Sequence, residues 1–377
     1  MHNLIYWSPC LGNVGTIKST INSAVSFKKY SKNEFSVKII NACGEWNNNK
    51  EFFKKNNVEV VDLAFNYFKY LPQGGYLKSR ISYIIIFLIS FIPLTIYLKK
   101  QKNSFFIAHL ITSLPLFLSF FFKKNIKFIL RISGYPRLNF LRFFFWKITF
   151  KKIYLVTCPT TELQKKIINL NFVEFNKIKY LPDAIIDISD FLKKKFEKID
   201  LPNNKKFILN VGRLTKQKNQ LYLIKEIKEF LNQNKDYDLI IIGEGELKNK
   251  LNNEIINLGL EKRIHLLGHL NNPYPYMKLS SAFILSSLWE EVGFVIVESA
   301  LSNCTIISSN CASGPTEFLL NGEAGYLFEN NKIGELSKLI KNINVDNYKK
   351  KVLAKKSCLK YTKFRHYIKF KSILNEN

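Results

Sequence analysis

Short apolar runs, each ended by a glycine or a polar turn and followed by a helix-length stretch, recur along the chain. In the second half the strand candidates are FILNVG (207–212), DLIIIG (238–243), IHLLG (264–268), AFILSS (282–287), TIISS (305–309) and GYLF (325–328). The first half shows the same rhythm less cleanly, in NLIYWS, SVKIINA, VEVVDL, FFIAHL, KFILRIS and IYLVTC. Buried strands alternating with helices at this spacing predict an α/β fold with parallel, doubly wound sheets.

The chain has 377 residues, too many for one ordinary core and comfortable for two domains. Between the two blocks lies the polar, charged segment 187–206, which contains Pro202 and reads as a linker. The expected organisation is a first domain over 1–190, a second over 200–355 and a C-terminal helix in 356–377 that packs back on the first domain. Doubly wound sheets bind ligands where strand C-termini face a crevice, so the active site is expected between the two domains.

One stretch breaks the rhythm. Ile81–Leu98 is eighteen uncharged residues flanked by Arg80 and by Lys99 and Lys100, a borderline length for a membrane span. Pro93 interrupts it, Ser82, Tyr83, Ser90, Thr95 and Tyr97 dilute it, and an α/β domain needs a helix there. We read it as an embedded or interfacial helix, with an ordinary core helix and a true span as the alternatives. The run 105–122 reads as strand, turn and helix. Segment 138–152 mixes Phe143, Phe144, Phe145 and Trp146 with Arg142, Lys147, Lys151 and Lys152, as a helix at a headgroup boundary would. A core helix with a basic outer edge is its alternative.

Charge sharpens this picture. The formal net charge is +28, which points to an anionic partner. Between Asp62 and Glu162 there is no acidic residue, while fifteen Lys and Arg fall among Phe, Ile and Leu. That combination suits an anionic lipid surface better than a nucleic acid, whose binding sites set basic residues among stacking aromatics in a groove. The six cysteines are scattered with no metal-ligand spacing, and we read them as small buried hydrophobes in a reducing compartment. The apolar run Leu4–Trp7 is too short for a signal-peptide core and no basic segment precedes it, so a cytoplasmic location is expected.

Candidate chemistry concentrates in the second half. GRLTKQKN (212–219) follows a strand, IIGEGEL (241–247) follows the next, and SLWEEVGFVIVESA (287–300) and SGPTEFLLNGEAGYLF (313–328) complete an ordered set. Arg213 and Lys218 lie in a loop at a strand C-terminus, where two cations can neutralise a departing diphosphate. Glu290 and Glu298 are spaced so that eight residues of helix would separate them by roughly 12 Å, although Glu290 is expected to precede the helix. Gly293, Phe294 and Val295 would open that helix and offer free N–H groups to an anion. GEGE (243–246) lacks a third glycine and reads as a turn rather than a dinucleotide fingerprint. Near the N-terminus, Gly12-Asn13-Val14-Gly15-Thr16 is a glycine-containing turn between a strand and a helix, permitting close backbone approach.

Taken together these motifs resemble the retaining GT-B glycosyltransferases with an E-x7-E motif, the group 1 or family 4-like superfamily. The resemblance covers most of the second domain. It implies two Rossmann-like domains facing across a cleft and transfer of a sugar, with retention, from a nucleoside-diphosphate donor, without a cofactor or bound metal. It implies Arg213 and Lys218 as the phosphate-binding pair and Glu290 facing the donor sugar; these three are the catalytic candidates. Glu298 would take the ribose, with Gly293, Phe294, Val295, Gly12 and Gly15 against the donor phosphates. The choice of Glu290 over Glu291 rests on register with the family. Many members carry a histidine after a middle strand of the first domain, where this chain has Arg131, Ser133 and Gly134. Arg131 or Ser133 is assigned to the acceptor side, and His109 is read as a core residue. The expected partners are a nucleotide-sugar, a lipid-linked or envelope glycan acceptor and the anionic inner face of the cytoplasmic membrane, with no nucleic acid. A GT-B epimerase or phosphorylase and a basic nucleic-acid-binding protein are the rival readings.

Overall fold

The structure is a computed structural model that describes residues 2–12, 15–72, 76–136, 138–203, 205–311, 313–341, 343 and 348–376. The chain divides into two compact units. Unit 1 comprises Met1–Ala184 and Lys363–Asn377, and unit 2 comprises Ile185–Thr362.

Unit 1 alternates strand and helix: β1 (His2–Trp7), α1 (Gly15–Tyr30), β2 (Phe35–Asn41), α2 (Lys50–Lys55), β3 (Glu59–Asp62), α3 (Tyr76–Lys99), β4 (Ser104–Ala108), α4 (Ser113–Phe122), β5 (Ile126–Arg131), α5 (Phe140–Thr149), β6 (Leu155–Cys158), α6 (Thr161–Ile168) and β7 (Ile178–Tyr180). All seven strands are parallel, in the order β3-β2-β1-β4-β5-β6-β7. Strand β7 is only three residues long and falls outside the apolar runs. Leu4, Ile5, Phe106, Phe128 and Ile129 are at most 2% exposed, as strands covered on both faces require.

One face of this sheet is covered by α3, α4, α5 and α6, the other by α1, α2 and a C-terminal helix of unit 1. Helix α3 packs Ile86, Leu94 and Leu98 into the core, and Ser82 and Ser90 lie on the same inner stripe. Its outer stripe is Leu77, Ile81, Ile84, Leu88, Ile92 and Ile96, each half exposed or more. This is the reverse of a surface helix, whose outer face is polar. Of the described helices, α3 alone is long and apolar enough to cross a membrane. In this fold its inner stripe belongs to the core of unit 1. Helix α5 is shorter than the segment 138–152 and leaves Phe140, Leu141, Phe144 and Ile148 exposed beside Arg142 and Lys147.

Unit 2 runs α7 (Ile188–Lys194), β8 (Lys206–Val211), α8 (Gln220–Gln233), β9 (Tyr237–Ile242), α9 (Lys248–Asn257), β10 (Ile264–Leu266), α10 (Tyr274–Leu279), β11 (Ala282–Leu285), α11 (Phe294–Leu301), β12 (Thr305–Ser309), α12 (Gly314–Phe318), β13 (Tyr326–Phe328), α13 (Glu335–Ile340) and α14 (Tyr348–Cys358). Its six parallel strands are ordered β10-β9-β8-β11-β12-β13. The segment 187–206, expected as a linker, is part of this unit. Its helix α7 buries Phe191 edge-on against Tyr274 of α10, so the division falls at Ala184–Ile185 instead.

The last helix, α15 (Lys363–Asn375), returns to unit 1 and lies on α1. Phe27 of α1 meets Tyr367 and Phe370 edge to face, at centroid separations of 5.2 and 5.3 Å. All six cysteines are buried and free of disulfides. Burial pushes the Cys10 thiol up to about 12 and those of Cys304 and Cys311 to about 11, so they behave as small hydrophobes.

Candidate active site

In an open parallel sheet the loops after two neighbouring strands diverge where the strand order reverses, and the crevice they leave holds ligands. In unit 2 that reversal lies between β8 and β11. The loop after β8 carries Arg213 and Lys218, and the loop after β11 carries Glu290. Both sets of sequence-predicted residues therefore meet at one place.

The two loops are tied together by backbone and side-chain hydrogen bonds. Leu288 N–H donates to the Gln217 carbonyl at 2.7 Å, Gln217 Nε2 to the Trp289 carbonyl at 2.8 Å, and Ser286 Oγ to the Lys218 carbonyl at 2.8 Å. Lys218 Nζ is ion-paired with Glu290, and Ser287 Oγ donates to the same Glu290 oxygen at 2.7 Å. Ser287 is a site residue the sequence did not announce; its signal was its place three residues before Glu290. Arg213 is exposed and makes no ion pair with a described residue, so its guanidinium faces solvent. A half-buried lysine–carboxylate pair beside a solvent-facing arginine is suited to an anion that takes the two cations together.

Glu290 precedes α11 and forms an isolated bridge with Ser313, and the helix starts at Phe294 after Gly293. Gly293 has φ +73°, a conformation that glycine adopts freely. The N–H groups of Phe294 and Val295 head the helix, where backbone donors lack intrahelical partners. Glu298 lies on the buried side of α11, 6% exposed. Gly314 is the tightest contact of this region. A Cβ there would press well inside van der Waals contact with the Glu291 carbonyl and the Val292 Cα, so the start of α12 supports the Glu291–Val292 backbone directly. GEGE lies in the connection between β9 and α9: a Cβ on Gly243 or Gly245 would collide with the Gly212 or Leu214 carbonyl, which makes the motif a packing surface for the Arg213 loop.

Unit 1 has its own reversal, between β1 and β4. Gly12 follows β1 and is exposed, and Gly15 opens α1; Asn13 and Val14 lie outside the described residues. Arg131 is at the end of β5 but turned inward, 6% exposed, ion-paired with Asp183 and donating to the Leu181 carbonyl at 2.7 Å. Ser133, two residues on, is half-buried at the carboxyl edge and bonded to His109. His109 is 7% exposed, with Nδ1 2.8 Å from Thr20 Oγ1. His366 of α15 is bonded through Nδ1 to the Pro182 carbonyl at 2.7 Å and through Nε2 to Ser23 at 2.8 Å.

Burial, reinforced at His109 by the Arg131 guanidinium, pushes the histidines down, to about 3 at His109 and about 4 at His366. Both are neutral in the fold, whereas in the unfolded chain they titrate near 6.5. Between those values the unfolded chain binds more protons, so stability is fully present above pH 6.5 and falls as the pH drops. The slope is about 1.4 kcal/mol per pH unit for each histidine. Urea midpoints are therefore expected to decline from pH 7 to pH 5, and a His366→Gln variant should decline about half as steeply. Equal slopes would mean that His366 is protonated in the fold.

Among the described residues no group of three or more His, Cys, Asp or Glu is placed to hold a metal ion. Residues 192–357 match the protein family described as glycosyl transferases group 1. Unit 2 belongs to that family. A glycosyltransferase of Methanocaldococcus jannaschii with no characterised activity is 34% identical to this chain over 207 residues, 52% of this chain and 51% of its own. The N-acetylgalactosamine-N,N'-diacetylbacillosaminyl-diphospho-undecaprenol 4-alpha-N-acetylgalactosaminyltransferase of Campylobacter jejuni is 38% identical over 144 residues, 38% of each chain. The chain thus spans about half or less of the curated relatives it matches. Over the full length of both chains it superposes on Anabaena HepE in complex with UDP, with a TM-score of 0.70 at 15% identity. Two doubly wound parallel sheets in one chain, with this likeness, are the GT-B fold. The group 1 glycosyl transferase domain contains the Arg213, Lys218, Glu290 and Glu298 positions together.

Proposed function

We propose that the chain is a glycosyltransferase that moves a sugar from a nucleoside-diphosphate donor, with retention, to a lipid-linked or envelope glycan acceptor at the inner membrane surface. The observation that carries this is the Lys218–Glu290 pair beside the solvent-facing Arg213 at the β8/β11 reversal, above the head of α11. On donor binding Lys218 and Arg213 take up the diphosphate charge with the Phe294 and Val295 N–H groups, and Glu290, relieved of part of its pairing, turns to the sugar hydroxyls. Glu298 receives the ribose. Gly12 and Gly15 are assigned to the donor phosphates, and Arg131 and Ser133 belong to the acceptor side, Arg131 by fixing the end of β5 through Asp183. No resident metal or cofactor enters this scheme.

Relatives support the substrate classes: the Campylobacter enzyme is named for a diphospho-undecaprenol acceptor, and the Anabaena protein binds UDP. The membrane side rests on α3, α4 and α5, which share one face of the unit 1 sheet. Their outward residues include the α3 stripe, Phe121, Phe140 and Phe144, among basic residues without an acidic one nearby in sequence. A helix of this kind lies in the boundary between headgroups and acyl chains, while its inner stripe stays in the protein core.

Thermal unfolding with UDP, GDP, ADP and CMP tests the donor site. One nucleotide at 100 times its dissociation constant should add about 2.7 kcal/mol of stability, and the shift should survive EDTA. No shift with any nucleotide in folded protein would remove the donor assignment. A shift abolished by EDTA would remove the metal-free scheme alone.

A further inference from the structure

At the carboxyl edge of unit 1, four polar groups form a directional chain. Thr20 Oγ1 lies 3.0 Å from the Thr16 carbonyl and 3.3 Å from Ser8 Oγ; the carbonyl is the nearer and accepts only, which assigns the Thr20 hydroxyl proton to it. Thr20 Oγ1 is then the acceptor for His109 Nδ1, 2.8 Å away, which places the imidazole proton on Nδ1. The imidazole is neutral because burial and the Arg131 guanidinium oppose a second proton. Nε2 therefore carries a lone pair, and the Ser133 hydroxyl bonded to it must donate. With its one proton committed, Ser133 Oγ presents only lone pairs on its open side.

The place of this chain in the fold is also specific. His109 follows β4 and Ser133 follows β5, its neighbour, next to the reversal between β1 and β4. Two residues beyond His109, Ile111 has φ +48°, a strained conformation for a β-branched side chain, and Trp7 Nε1 donates to its carbonyl at 3.1 Å. The cavity beneath, bounded by His109, Arg131, Thr157 and His366, is about 20 Å³, room for a water and for no sugar. Thr20 and His109 are buried, whereas Ser133 ends the chain half-exposed at the edge.

We propose that Ser133 is a one-way hydrogen-bond acceptor for a donor group of the acceptor sugar, a hydroxyl or an acetamido N–H, and that His109 is the residue positioning its proton. This rests on the transferase reading above. The pair selects acceptors by a proton they must supply, and rejects analogues that can only accept.

The chain contains five histidines, so [15N]histidine spectra of the full-length protein are sparse enough to resolve His109. At pH 7 with UDP present, the His109 signals should be those of the neutral Nδ1–H tautomer. Methyl glycosides of glucose, galactose, mannose, N-acetylglucosamine and N-acetylgalactosamine are then titrated. One should shift the Nε2 signal, and the analogue with fluorine in place of one hydroxyl, or lacking the acetamido group, should bind about 10-fold or more weakly. Ser133→Ala should bind glycoside and analogue alike, with an unchanged UDP-induced melting shift, and Ser133→Thr should restore the difference. An Nε2–H tautomer, silence of the His109 signal to every glycoside, or undiminished discrimination in Ser133→Ala would overturn the proposal. A normal UDP shift in those cases leaves the transferase reading in place, while loss of that shift strikes the reading itself.

Discussion

Lys218→Ala is expected to lower sugar transfer by about 100- to 1,000-fold, the scale on which a single group placed against developing charge acts. It should also erase the nucleotide-dependent rise in melting temperature. The ammonium sits against Glu290, with side-chain exposures of 15% and 9%. In the proposed scheme the incoming diphosphate competes with that carboxylate for the same cation. Removing the lysine takes away one of the two cations proposed to meet the phosphates and leaves Glu290, among the described residues, with the Ser287 hydroxyl at this oxygen. The variant should be less stable by about 1–3 kcal/mol, below the range for a fully buried pair because both ends retain some solvent. Urea unfolding measured beside the kinetics separates the two effects. Lys218→Ala/Glu290→Gln, which removes both charges, should regain most of the stability and none of the activity. A Lys218→Ala enzyme that still responds to the nucleotide would place the diphosphate elsewhere.

Leu88→Glu combined with Ile92→Glu should reduce partitioning onto anionic vesicles by at least about 100-fold. Burying an isoleucine or leucine is worth roughly 1.5–3 kcal/mol, and each factor of ten in partitioning takes about 1.4 kcal/mol. Two such side chains therefore account for two decades or more before the cost of immersing the new charges. Both positions are about two-thirds exposed, so the melting temperature should change little. Sedimentation with vesicles of matched size, with and without anionic lipid, at two salt concentrations, isolates the basic contribution, which salt weakens. Unchanged partitioning would show that α3 is not the docking face.

Much of this architecture can be read from the sequence because a strand buried on both faces needs a continuous apolar run, and twelve of the strands follow such runs. Strand β7, Ile178–Tyr180, escapes because three residues surrounded by lysines and asparagine carry no run. Its absence from the reading hides the segment after it, and with it Asp183, the partner that draws Arg131 inside. A cation at a strand end reads as a ligand-facing group until its carboxylate, 52 residues away, is found. The Lys218–Glu290 contact was out of reach for the same reason, since the two are 72 residues apart and meet only because β8 and β11 are neighbours. Helix α1 is a third case. Ser19, Thr20, Asn22 and Ser23 look like an outward face and are all buried, each satisfied by a partner from another element: Asp183, His109, the Ala184 carbonyl and His366. Periodicity finds helices that bury oil. It misses one that buries a hydrogen-bonded seam.

That seam bears on synthesis. The two segments of unit 1 are separated in the chain by all of unit 2, so α1 leaves the ribosome more than three hundred residues before α15, which seals it. Domains fold as units during synthesis, and unit 2, being continuous, can reach its native state while the flank of α1 around Phe27 is still uncovered. Throughout that interval the nascent chain leaves Phe27 without its α15 partners Tyr367 and Phe370, while α3 presents its apolar stripe on the other face of the sheet. A chaperone that holds such surfaces would find its longest opportunity here, and a stop codon just before Lys363 would make the interval permanent.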